Sequence, residues 1–159
     1  MTIARIDPLA GDQDLAEVME IDRSSFATPW TREMYEAELR NASISSIVVL
    51  RLPNRPVVGY CSYWLVVDEV HINNVAVRPE YRGQGFGRRL VEHVLLEGRE
   101  KGALRALLEV RRGNNPARQL YEHLGFVAIG TRRGYYSDPV EDALILARDL
   151  QISEENPKT

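Results

Sequence analysis

Cysteine is nearly absent. Cys61 stands alone among 159 residues, so no internal disulfide can form, and its apolar neighbours mark it as a small buried hydrophobe in a strand. Three scattered histidines and one cysteine offer no metal-ligand spacing, so no metal is expected. Long apolar runs are missing too: the longest stretch without a charge covers residues 56–67, too short for a membrane-spanning helix. Residues 1–13 carry charges where a signal peptide needs an apolar core, and a cytoplasmic location is the expectation. No repeat of 20–50 residues and no internal linker divides the chain. The expected organisation is one domain over residues 1–152 and a polar tail over 153–159.

What is present is an ordinary globular balance, 44% apolar and 27% charged, enough to bury a real core. The net charge of −3 hides an uneven distribution. Residues 1–69 hold 6 basic and 11 acidic side chains (net −5), residues 70–135 hold 12 and 6 (net +6), and residues 136–159 hold 2 and 6 (net −4). A basic block in mid-chain suggests an anionic ligand there. A pI near 5.7 speaks against a general phosphate-backbone binder, and neither nucleic acid nor membrane is expected as a partner.

Apolar spacing predicts a helix from about Asp12, as N-cap, to Asp22. A second opens at Thr31, with Trp30 and Tyr35 placed for a hydrophobic staple. Ile44–Leu50 and Val57–Val67, separated by turn formers, read as an antiparallel hairpin, and Val70–Val77 as the next strand. After the glycines at 83–87 come a helix through Leu90, Val91, Val94 and Leu95, a strand over Leu104–Val110, and a short helix opened by Asn115 as N-cap with Pro116 at N1. Phe126–Arg133 and Asp142–Leu150 are the final strands. The order ααβββαβαββ describes an α+β domain around a single mixed, mostly antiparallel sheet flanked by helices.

The segment Arg82-Gly83-Gln84-Gly85-Phe86-Gly87 lies between a strand and a helix start. Glycines there expose successive backbone N–H groups, and the helix N-terminus adds partial positive charge, which together make an anion cradle. It is not a Walker loop, since Gly87 is followed by Arg88-Arg89, and the third glycine comes one residue early for a dinucleotide fingerprint.

That loop resembles the R/Q-x-x-G-x-G/A motif of the GCN5-related N-acetyltransferases. The likeness extends along the chain. Phe26-Ala27-Thr28-Pro29-Trp30, Asn74-Val75-Ala76-Val77, Leu108-Glu109-Val110-Arg111, Leu120-Tyr121-Glu122, Leu124-Gly125-Phe126 and Arg133-Gly134-Tyr135-Tyr136 resemble, in order, the bacterial ribosomal-protein alanine N-acetyltransferases. Gly134 stands where that group has an asparagine. The resemblance implies the GNAT fold with a central splay in the sheet. It implies acetyl-CoA as co-substrate and the N-terminal α-amine of an acceptor protein, a ribosomal one, as partner.

By the same resemblance Val75, Ala76 and Val77 offer strand backbone to acetyl-CoA, and Gly83, Gln84, Gly85, Phe86, Gly87 and Arg88 form the pyrophosphate loop and helix start. Asn114 adds a side-chain contact. Glu109 is the base and Tyr121 the proton donor to the leaving thiolate. Glu109 lies within an otherwise apolar strand, a setting suited to a working carboxylate, although strand alternation alone leaves open that it faces solvent beside Arg111. Tyr121 is equally part of a normal core stripe with Leu120 and Leu124. Tyr135 and Tyr136 would shape the peptide entrance, and Glu69 with Asp68 would receive positive groups of the peptide. His71 could line the same mouth. Two alternatives stay open at this stage: an acetyltransferase for a small amine or lysine side chain, and a non-catalytic acetyl-CoA-binding module.

Overall fold

The chain is described by a computed structural model, in which residues 3–151 are described; the polar tail 153–159 lies outside them. Seven strands and four helices follow one another as β1 (Arg5–Pro8), α1 (Gly11–Ser25), α2 (Arg32–Arg40), β2 (Ser45–Leu52), β3 (Arg55–Val66), β4 (Glu69–Val77), α3 (Phe86–Glu100), β5 (Arg105–Arg111), α4 (Asn115–His123), β6 (Val127–Tyr136) and β7 (Glu141–Asp149). The strand order is β1-β2-β3-β4-β5-β7-β6. β4 and β5 pair in parallel, as a strand connection carrying a full helix requires. The pairs β1·β2, β2·β3, β5·β7 and β6·β7 are antiparallel. This is the mixed, mostly antiparallel α+β sheet that the element order implies. The β4·β5 ladder pairs Glu69–Ile72 with Arg105–Leu108.

Two compact units are distinguished: residues up to Trp64 with Asn73–Val94, and Leu65–Ile72 with the residues from Leu95 on. In the first, Leu15, Val18 and Ile21 of α1 and Tyr35 of α2 pack with Ile47, Val49, Val57, Tyr60 and Ala76. The i, i+3, i+6 spacing on α1 turns one apolar stripe inward, and each buried aliphatic side chain contributes about 1.5–3 kcal/mol. The carboxylate of Asp22 is buried among them and accepts from the hydroxyls of Tyr35 and Tyr60. That pairing fastens α1, α2 and β3 at one point. Cys61 is fully buried, and burial pushes its thiol up.

Three elements depart from the sequence reading. β1 is an added strand; its four residues Arg-Ile-Asp-Pro carry too little alternation to announce one, and it exists by pairing with Val48–Arg51 of β2. Helix α1 begins at Gly11 after Ala10, with no side-chain cap. The carboxylate of Asp14 instead accepts from Ala10 N at 2.8 Å, so Asp12 is not the N-cap. α4 is capped by Asn114 rather than Asn115: Asn114 Oδ1 accepts from Ala117 N at 3.3 Å, and Pro116 is tolerated because its missing N–H falls among the helix's unpartnered donors. Elsewhere the reading holds. Thr31 caps α2, accepting from Met34 N at 3.2 Å, and the Trp30 and Tyr35 rings lie 5.2 Å apart as a staple would place them. At the far end of the strand order β6 is exposed along most of its length, with register shifts between Ala128 and Gly130 and between Arg132 and Tyr136.

Candidate active site

In the first unit the glycine loop connects β4 to α3. Gly83 and Gly85 have φ of +80° and +84°, values an L side chain rarely adopts, and no atom lies within 4 Å of where a Cβ would stand on either. The loop backbone is therefore uncovered. Gly85 O accepts from Arg89 N at 3.1 Å to close the first turn of α3, leaving the amides of Phe86, Gly87 and Arg88 without a carbonyl inside the helix. Phe86 is buried and anchors this end. The Arg82 side chain folds back, Nε donating to Val77 O at 2.9 Å and Nη2 to Ser25 Oγ at 3.2 Å, so it holds the base of the loop. Uncovered amides at a helix N-terminus fit a pyrophosphate group. Of the other cofactor candidates, Val75 is half-buried and Ala76 and Val77 are buried on β4, while Gln84 and Arg88 are exposed.

In the second unit Glu109 is the focus. β5 buries Ala106, Leu108 and Val110 and turns Leu107, Glu109 and Arg111 to its other face. The side chain of Glu109 shares the Arg111 face and is nonetheless only 14% exposed. His71 Nε2 lies 2.9 Å from Glu109 Oε1, and Arg132 Nε lies 3.7 Å from Oε2. Arg132 reaches across β7 because its partner there is Ala143, whose side chain is too small to block the way. Tyr121 is buried on α4, its ring edge-on to Phe126 at 5.6 Å between centroids.

Tyr135 and Tyr136 close β6 with rings 5.0 Å apart and edge-to-face. Tyr135 is exposed; the Arg132 guanidinium lies 5.6 Å from its ring centre, and that of Arg111 lies 4.4 Å from the centre of Tyr136. Arg111 also donates to Pro139 O at 3.0 Å and to Glu141 Oε1 at 3.2 Å. Glu141 Oε2 in turn accepts from Gly113 N at 2.7 Å. Burial, helped by Tyr135 and Glu109, pushes the Tyr136 phenol up to about 12, so it remains a neutral hydrogen-bonding group throughout the physiological range. Gly134 has φ +58° and donates its N–H to Asp142 Oδ1 at 2.9 Å. Asparagine is the residue besides glycine that best tolerates this left-handed region, so the exchange at this position preserves the turn.

Residues 15–126 match the acetyltransferase (GNAT) family. The chain belongs to that family. It is 40% identical to a Bacillus subtilis protein provisionally named a ribosomal protein bS18-alanine N-acetyltransferase, over 84% of this chain and 88% of that protein. With the Escherichia coli K12 ribosomal protein bS18-alanine N-acetyltransferase it shares 34% identity over 87% of this chain and 93% of the relative. The crystal structure of the ribosomal-protein-S18-alanine N-acetyltransferase from Escherichia coli superposes with a TM-score of 0.85 at 31% identity, covering 99% of this chain and all of that one.

Two features of this GNAT member bear on the sequence-based expectations. First, several carboxylates of residues 1–69 are paired with arginine in the fold. Arg51 pairs with Asp7 at 2.9 Å and Asp14 at 2.6 Å, and the buried Arg78 pairs with Glu17 and, at 2.7 Å, with Glu20. Arg51 holds the Asp14 carboxyl below its ordinary range by hydrogen bonding. Glu69, expected to receive positive groups of the peptide, pairs with Arg105 at 2.8 Å at the surface. Second, Arg111 and Arg132 went unrecognised as partners of the tyrosine pair and of Glu109. Only strand register connects them, and the sole sequence signal was that both stand in strands next to already suspected residues.

Proposed function

We propose that this GNAT member transfers acetyl from acetyl-CoA to the α-amine of an N-terminal alanine, that of a ribosomal protein, by direct attack in a ternary complex in the cytoplasm. The observation that carries the chemistry is the mostly buried carboxylate of Glu109, with His71 at 2.9 Å from one oxygen and Arg132 at 3.7 Å from the other. The relatives named for alanine on bS18, aligned over more than four-fifths of the chain, support the substrate class.

Acetyl-CoA supplies a thioester whose C–S bond breaks as the amine nitrogen bonds to the acetyl carbon. The loop amides at 83–88 and the backbone of Val75, Ala76 and Val77 bind the donor, an oxyanion-stabilising role for the strand amides. Asn114 serves chiefly as the α4 cap, and a donor contact from its side chain is secondary. Glu109 takes a proton from the amine, directly or through one water; an α-amine with a pKa near 8 already exists in part as the neutral nucleophile at pH 7, so the demand on the base is modest. Tyr121 gives its hydroxyl proton to the departing sulfur. Tyr135 and Tyr136, stiffened by Arg132 and Arg111, frame the peptide.

Incubation with acetyl-CoA and peptides that begin with alanine, alongside the same peptides with a blocked α-amine and an internal lysine, tests this reading. Mass spectrometry should find one acetyl group on the free N-terminus alone. Acetylation confined to lysine, or none with any peptide, would overturn it.

A further inference from the structure

Glu109 carries a partner that neither strand alternation nor its own element supplies. In the parallel ladder His71 of β4 stands opposite Leu107 of β5, and Glu109, two residues further on, projects to the same face as Leu107. The two side chains are diagonal neighbours, His71 Nε2 to Glu109 Oε1 at 2.9 Å. A carboxylate only accepts, so Nε2 carries the hydrogen of this bond. Both the neutral Nε2–H tautomer and the imidazolium can donate it. His71 is 27% exposed and Glu109 14%, so water has little access with which to replace the imidazole.

The second oxygen is treated differently. Arg132 Nε at 3.7 Å from Oε2 is beyond hydrogen-bond length and attracts the carboxylate without occupying its lone pair. The two ends of the carboxylate are thus inequivalent: Oε1 is engaged and Oε2 retains its accepting capacity.

We infer that His71 is a positioning residue for the transfer, fixing the Glu109 carboxylate through Oε1 so that Oε2 is the oxygen that takes the proton from the acceptor amine. The inference rests on Glu109 being the base. The proton balance is complete: the amine proton goes to Oε2 as the N–C bond forms, the thiolate is protonated from Tyr121, and both groups return to their starting states by exchange with water. Without the imidazole the carboxylate turns about its last side-chain bond, and a misplacement of this kind slows the proton step while binding of both substrates is kept.

The test is a steady-state comparison of full-length variants with acetyl-CoA and an alanine-starting peptide. His71→Ala and the strand-compatible His71→Val should each lower kcat by about tenfold to a hundredfold, with KM for both substrates within about twofold. His71→Gln, which retains an N–H donor, should recover kcat to within about threefold of wild type. On a Glu109→Gln background His71→Ala should cost nothing further, because the group it positions is gone. Melting curves establish that the variants compared are folded, and His71→Val guards against a fold lost in the alanine variant. Wild-type kcat in His71→Ala, beside a slow Glu109→Gln, would overturn the role of His71 alone. A loss that Gln does not recover, or that adds fully to Glu109→Gln, would do the same. Wild-type kcat in Glu109→Gln would overturn the base and this inference together.

Discussion

The glycine loop of the first unit and the Glu109 cluster of the second solve different problems with different materials. The loop is backbone: two glycines at positive φ and the uncovered amides that open α3, with the long cation at its start, Arg82, turned back onto Val77 and Ser25. The cluster is side chain: one carboxylate set by a histidine from the neighbouring strand and an arginine two strands away. Backbone recognition tolerates most side-chain exchange and fails when anything is added. A side-chain cluster fails when something is taken away.

The sharpest way to break that contrast is to add bulk and charge to the loop. Gly85→Glu imposes a strained backbone and puts a negative charge beside a bound pyrophosphate, so calorimetric titration should find acetyl-CoA affinity reduced by at least about a hundredfold. Unchanged affinity in the folded variant would remove the loop from the binding site. Next in size are removals from the cluster. Glu109→Gln deletes the base and Tyr121→Phe deletes the acid while keeping the ring against Phe126. Each should lower kcat on the order of tenfold to a thousandfold, with acetyl-CoA affinity nearly intact, and wild-type turnover in either would cancel that assignment.

Arg111→Met sharpens the comparison one step further out. It removes the cation over Tyr136 and the hydrogen bonds that hold Pro139 and Glu141, and peptide KM should rise about fivefold with kcat and acetyl-CoA affinity retained. A change in acetyl-CoA affinity instead would show that the two regions are not separable in this way. The smallest effect concerns acceptor charge. Because Asp7, Asp14, Glu17, Glu20 and Glu69 are already paired with arginine, alanine-starting peptides that differ only in charges after the fourth residue should show kcat/KM within about threefold of one another, changing little between 0.1 and 1 M salt. A strong preference for basic peptides at low salt would mean that unpaired carboxylates elsewhere set the field.

The loop's backbone geometry was legible because it is written in residue type. Glycine at 83, 85 and 87 between a strand and a helix has few other uses, and the element order around it followed from apolar spacing. Glu109 and Tyr121 stood out by resemblance, but the partners of Glu109 did not. Finding His71 needs the parallel register that sets it against Leu107, and finding Arg132 needs the antiparallel register across β7 together with the shift at Ile129. Neither register is encoded locally. The same reasoning accounts for β1, which has no period of its own, and for the α4 cap, where two adjacent asparagines were equally good candidates and the helix chose the first.

β6 stands last in the strand order, so its outer backbone groups have no strand partner among the described residues, and Val127 and Ile129 are exposed along it. Such a rim invites a second chain to add its own strand. Here the displaced register between Ala128 and Gly130 interrupts the run of donors and acceptors, and the exposed Arg133 places a like charge in each of two copies that would meet there. Neutralising Arg133 should show itself first as turbidity in concentrated protein, with edge-to-edge stacking as the cause.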